Sequence, residues 1–147
     1  MDEIDRRIIA RLAQNARTSN RELARELRIA DSTCSARIAA LQASGVISGF
    51  HAEIDFAKIG RSVQAHVSLK IRPQALPDAA AFCDSVAELP EVIAVYMVTG
   101  PADLVAHVAV PSTDELREFV LQLAKRTEIA DIRTSIIYLS KRSNGGL

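Results

Sequence analysis

Ile4, Ile8 and Leu12 recur every four residues, with Ile9 and Ala13 beside them, so an apolar stripe runs along a first helix. Asn15-Ala16-Arg17-Thr18 interrupts it. Ser19 followed by Glu22 has the spacing of a capping box, in which each side chain meets the other's backbone amide. A second helix is predicted from there, burying Leu23, Ala24 and Leu27. A third is predicted from about Asp31 to Ser44, with Cys34, Ile38 and Leu41 as its seam. Asp31 or Ser32 is a candidate cap for it. Gly45 stands where a left-handed cap would end the helix. Val46-Ile47-Ser48-Gly49-Phe50 reads as a small ribbon or wing.

Beyond a connector over residues 51–61 the period falls to two. Val63, Ala65, Val67, Leu69 and Ile71 face one way, and Ser62, Gln64, His66, Ser68 and Lys70 the other, so this is a strand with one buried face. Pro73 and Pro77 end it, and Ala79, Phe82, Cys83, Val86 and Leu89 take helical spacing up to Pro90. Val92 to Thr99 and Leu104 to Val110 are predicted strands, separated by a turn at Gly100-Pro101. Ser112 with Glu115 opens a helix burying Leu116, Phe119, Val120 and Leu123. A last strand is predicted from Ile129 to Leu139, before a polar tail.

The fold class is therefore α+β. Residues 1–50 form a three-helix unit with a wing, and residues 62–141 form a β-α-β-β-α-β ferredoxin-like unit. Residues 142–147 are expected to fray. In the second unit both helices cover one face of an antiparallel sheet. Val92 to Val98 and Ile136 to Leu139 read as too apolar on both faces for a wetted sheet, so sheet-to-sheet dimerisation is expected.

Composition changes this picture little. The chain has 147 residues, 48% of them hydrophobic and 24% charged, with a formal net charge of zero. No global field draws in nucleic acid, so any such role rests on a local patch. Residues 1–50 carry eight Arg against six acids, a net of +2, and the remainder carries ten basic residues against twelve acids, a net of −2. Two cysteines among apolar neighbours fit a reduced compartment. The acidic opening is unlike a signal peptide, and no apolar run is long enough for a bilayer. A cytoplasmic protein is expected, with no membrane partner.

Helix, turn, helix and ribbon over Ser19 to Phe50 is the layout of a winged helix-turn-helix, whose second helix can enter the major groove of double-stranded DNA. The first exposed turn of that helix carries Ser32, Thr33, Ser35 and Ala36, with Arg37 one turn on. Short side chains allow close approach to base edges, hydroxyls donate and accept, and Arg37 can reach a guanine or a phosphate. Arg21, Arg25 and Arg28 line the preceding helix as candidate phosphate contacts, or as a solvated face balanced by Glu22 and Glu26.

The chain resembles the leucine-responsive and asparagine-type (Lrp/AsnC) regulators over nearly its whole length. The resemblance rests on Asp5-Arg6-Arg7-Ile8-Ile9 and Leu12, on Asn20-Arg21-Glu22-Leu23-Ala24, and on Cys34, Arg37, Ile38 and Leu41. It continues through Gly45 to Phe50 and Val98-Thr99-Gly100-Pro101-Ala102-Asp103-Leu104. It implies a DNA-binding regulator with a C-terminal domain that dimerises, assembles further to octamers and binds a small effector, commonly an amino acid, with no cofactor. Carried over, the effector residues are Thr99, Gly100, Asp103 and Leu104, with Thr134 and Ser135 as further lining. Gly100 would let backbone amides approach a carboxylate, and Asp103 would take an ammonium group or hold the turn. Three positions depart from the family pattern. Arg28 stands for the usual turn Gly, Ala30 for the usual Ser cap, and Ala39 and Ala40 for basic residues; the fewer charges at 39 and 40 imply weaker, less salt-dependent DNA binding. Two other functions fit the architecture: a ligand-sensing scaffold without DNA binding, and a haem-pathway decarboxylase-like enzyme using His51, His66 and His107. No catalytic triad, phosphate loop or metal spacing supports the enzyme.

Overall fold

The computed structural model describes residues 1–141 and divides into two compact units, residues 1–53 and 54–140. The expected frayed tail, 142–147, lies outside the described residues.

The first unit contains α1 (Glu3–Gln14), α2 (Asn20–Leu27) and α3 (Asp31–Ala43). Ile8, Leu12, Leu23, Ala24, Cys34 and Leu41 form its core, one or two per turn from each helix. The capping box is on α1: Asp2 and Asp5 each accept the other's backbone N–H at 3.0 Å. At Ser19 only half of the expected box forms. Its hydroxyl accepts from the Glu22 amide, while the Glu22 carboxylate turns to Arg11, 3.6 Å away. Neither Asp31 nor Ser32 caps α3. Ala30 is the cap residue, in extended backbone with no side-chain acceptor. Ala30→Ser is therefore expected to stabilise this unit by about 1 kcal/mol, read as a raised melting midpoint; an unchanged midpoint would refute the missing cap.

Arg28 makes the turn between α2 and α3 in the left-handed region, φ 57°. A side chain there costs roughly 1–2 kcal/mol that a glycine avoids. The Asn20 side chain, donating to the Asp31 carbonyl at 2.8 Å, ties the start of α2 to the start of α3. Gly45, φ 74°, ends α3, and the Ile47 amide bonds back to Leu41 O. The expected ribbon is absent. Residues 46–50 are a bend and irregular chain, and no strand among the described residues of this unit pairs with them.

The second unit is a four-stranded sheet in the order β2-β3-β1-β4, with all neighbours antiparallel. Its strands are β1 (Val63–Ile71), β2 (Val92–Met97), β3 (Leu104–Val110) and β4 (Ile129–Ile136), and its helices are α4 (Ala79–Ala87) and α5 (Thr113–Ala124). A 3-10 segment, Pro73–Asp78, leads into α4. Ala65, Val67, Leu69 and Ile71 of β1 meet Phe82, Val86, Phe119 and Leu123 in one core. Both predicted outer strands stop early, at Met97 and Ile136 rather than Thr99 and Leu139. One backbone bond lies just past each end, from the Val98 amide to the Asp103 carbonyl at 2.9 Å and from the Ile137 amide to the Gln64 carbonyl at 2.8 Å.

The opposite face of the sheet is less apolar than the sequence suggests. Cross-strand partners share a face, so His66 of β1 lies with His107 and Ser135, Ser68 with Val105 and Arg133, and Lys70 with Asp131. Ala94 and Tyr96 of β2 pair with His107 and Val105. On that face the apolar residues lie in the β2–β3 half, at Ala94, Tyr96 and Val105; Val98, Tyr138 and Leu139, beyond the strand ends, are exposed.

Candidate DNA-reading surface and effector loop

On α3, Ser32, Thr33, Ala36 and Arg37 line one shallow depression with Ala40. Ser35 is exposed but does not line it. The apolar seam turns Cys34 and Leu41 inward and leaves these short side chains outward.

Arg37 is already engaged. Its Nη1 lies 2.7 Å from Asp2 Oδ2 and 2.8 Å from Asp5 Oδ1. The α1 cap thus doubles as an anionic clamp on α3. The mutual backbone hydrogen bonds, then the guanidinium, hold both carboxyls below the usual range, and the two carboxylates push the Arg37 pKa up. The clamp can be recognised in the sequence only by seeing that Asp2-x-x-Asp5 is itself a capping box.

On α2, Glu22 and Glu26 do not balance the arginine stripe. Both turn to Arg11 of α1, at 3.6 and 3.1 Å. Arg21, Arg25 and Arg28 are exposed, and no ion pair to them is found among the described residues. Three uncompensated guanidiniums beside a helix of short polar side chains can hold phosphate while the helix approaches base edges.

In the second unit, residues 98–103 connect β2 to β3. Gly100 takes φ 114°, and a Cβ built there would meet nothing within 4 Å, so backbone is accessible at that point. Asp103 is a structural anchor: Oδ1 accepts from Lys70 Nζ and Oδ2 from the Ile71 amide, both at 2.8 Å. Lys70 first, and the amide second, hold its carboxyl below the usual range. A depressed folded-state pKa stabilises fully above the unfolded value, near pH 4, and the contribution is lost as pH falls through the lower folded value. Asp103→Asn is expected to lower the melting midpoint at pH 7 and to flatten its decline below about pH 4. A wild-type acid limb in that variant would rule out this anchor.

The remaining effector candidates separate. Thr99 and Gly100 are exposed in the loop, but Leu104 is fully buried in the core, so its side chain is not at the surface. Thr134 pairs with Val67 and Ser135 with His66, which places them on opposite faces of β4. Adjacent strand residues cannot line one site from one face. His66 and His107 lie edge to face at 5.3 Å, with His107 Nε2 2.9 Å from Gln64 Oε1. No group of three or more His, Cys, Asp or Glu suited to a metal occurs among the described residues, nor a helix long and apolar enough to cross a membrane.

Residues 1–48 match the winged helix-turn-helix DNA-binding family, and residues 64–145 match the Lrp/AsnC ligand binding domain. The chain belongs to the Lrp/AsnC family of transcriptional regulators. It is 38% identical over 139 residues to the HTH-type transcriptional regulator AldR of Mycolicibacterium smegmatis, spanning 94% of this chain and 81% of that one. The crystal structure of MtbAldR superposes with a TM-score of 0.80 at 32% identity, over 97% of each chain. A transcriptional regulator from Neisseria meningitidis, solved as its L-Met complex, superposes with a TM-score of 0.89 at 25% identity, over 100% of this chain and 96% of that one. The family member described here is thus a transcriptional regulator with a DNA-binding and a ligand-binding domain.

Proposed function

We propose that this regulator binds specific DNA sites as a homodimer or a higher assembly such as an octamer, and that a small amino-acid-like effector biases the assembly. The observation that carries the DNA reading is the unpaired stripe Arg21, Arg25 and Arg28 beside the short side chains of α3. The arginines hold phosphates, and Ser32, Thr33, Ser35 and Ala36 face the bases. Arg37 contributes by holding α3 against α1 in the orientation that the groove requires. The wing, which forms no ladder here, adds little.

The apolar β2–β3 half of the open sheet face, with Tyr96 at its centre, is the dimer contact in this reading. Two recognition helices then address two half-sites. The effector meets backbone at Thr99 and Gly100, with Asp103 keeping the loop in place, and one of Thr134 or Ser135 contributes from β4. The L-Met complex of the Neisseria relative supports an amino acid as effector. Such a ligand acts only through its differential affinity for alternative assemblies. The protein is read as non-catalytic, cytoplasmic and free of cofactor.

The test is retention of the protein's own upstream DNA at low and moderate salt, with and without an amino-acid pool. Specific retention that one amino acid alters is the expected result. Retention indifferent to every amino acid would remove the effector assignment. No retention at low salt would leave a ligand-sensing scaffold.

A further inference from the structure

We infer that the second unit carries another ligand site, away from the Thr99–Asp103 loop, for a zwitterion with an apolar side chain. It is the groove between α5 and the turn that joins α4 to β2, about 690 Å³ in volume. That size falls within the roughly 300–1,000 Å³ of small-molecule sites.

The floor of the groove is apolar, formed by Leu89, Val110, Phe119 and Leu123. Its rim is charged with both signs. Arg61 donates from Nη1 to the Pro90 carbonyl at 2.6 Å. Arg126 donates from Nη1 to Ser85 Oγ at 2.7 Å and lies over the Phe82 ring, 5.6 Å from its centroid. Both guanidiniums are thereby held in place by neutral partners. Each keeps most of its five donors, and its full charge, for a carboxylate. Neither has a carboxylate within ion-pair distance among the described residues.

Glu91, Glu115 and Glu118 line the same groove, and no described cation pairs with them. Opposite charges that share a rim without meeting leave both a cationic and an anionic point unsatisfied above an apolar floor. The complement is a ligand that carries a carboxylate, an ammonium group and an apolar side chain. Low-dielectric walls strengthen both charge contacts relative to open water. A free amino acid and a short peptide share this chemistry.

The groove is separate from the effector loop. Leu104 adjoins the loop, and Val110, at the other end of β3, lines the groove. Six residue steps along a strand put them about 20 Å apart. The site stands whether or not the loop binds an effector.

The experiment uses the full chain with Leu and Val methyl groups labelled for NMR, a readout that tolerates a large assembly. L-phenylalanine and L-phenylalanyl-L-alanine are titrated separately, and the tighter of the two identifies the source. Saturable shifts are expected at Leu89, Val110 and Leu123. Phenethylamine, which lacks the carboxylate, and phenylpropionate, which lacks the ammonium group, are expected to bind at least tenfold more weakly. An Arg126→Gln/Glu118→Gln double variant with an otherwise native methyl spectrum is expected to lose at least tenfold in affinity. Shifts at Leu104 alone would place the ligand at the loop and overturn the groove, as would equal binding of the two singly charged analogues or no saturable shift at all.

Discussion

A variant carrying Arg21→Gln, Arg25→Gln and Arg28→Gly is expected to lose about 2.7 from the slope of log affinity against log salt for each DNA-bound protomer, three phosphate contacts at about 0.9 each. Extrapolated from 1 M salt, that is roughly several hundredfold in affinity at 0.1 M. The prediction rests on the diversion of Glu22 and Glu26 to Arg11. Had they neutralised the stripe, its removal would release few counterions. Glycine at position 28 fits the left-handed turn, φ 57°, so this change relieves backbone strain while it deletes the charge. The loss would therefore not come from a weakened fold, which a melting curve verifies. Fluorescence anisotropy with specific and random duplexes measures both slopes. Because phosphate contacts carry little sequence information, both duplexes are expected to suffer alike. A slope equal to wild type would end the phosphate-contact reading of α2.

Arg37→Ala is expected to lower the melting midpoint of the first unit and to weaken specific and random DNA together. The ratio between them should stay within about threefold. Loss of a bidentate base contact would instead cut that ratio by roughly ten- to a hundredfold. The difference follows from the clamp: Nη1 of Arg37 already faces two carboxylates, at 2.7 and 2.8 Å. Asp5→Asn supplies the cross-check. It loosens the same clamp without touching the DNA-facing surface and should reproduce the melting change. The clamp also has a pH signature. Asp2 and Asp5 have depressed folded-state pKa values, so their contribution is complete above about pH 4 and disappears as pH falls through the lower values. A collapse of the specificity ratio in Arg37→Ala would restore Arg37 as a base reader.

Much of this architecture is legible in the residue pattern, because it depends on local periodicity. The seam Cys34, Ile38 and Leu41 needs only helical spacing to find its buried face. The alternation from Val63 to Ile71 likewise defines the strand and its inner side. Gly45 ends α3 for a reason contained in one residue, its access to positive φ. Element ends are less legible. Ala30 is an N-cap that no side chain announces, and β2 and β4 end at Met97 and Ile136 although apolar residues continue beyond both.

The sequence by itself determined the α-helices, the strands of the sheet and the identity of the family, though neither the element ends nor the irregular chain at residues 46–50, since periodicity follows from spacing along the chain. Only the tertiary structure decided which charges are free. Arg37 and Asp2 are 35 residues apart in sequence and meet across two helices. Asp103 and Lys70 are 33 apart and meet across a sheet. Charge pairing depends on distances of a few ångströms between side chains from different elements, and periodicity within one element does not encode them. That is why Arg37, read along the sequence as a free side chain, is ion-paired to Asp2 and Asp5 in the fold, whereas Arg21, Arg25 and Arg28 have no ion pair among the described residues.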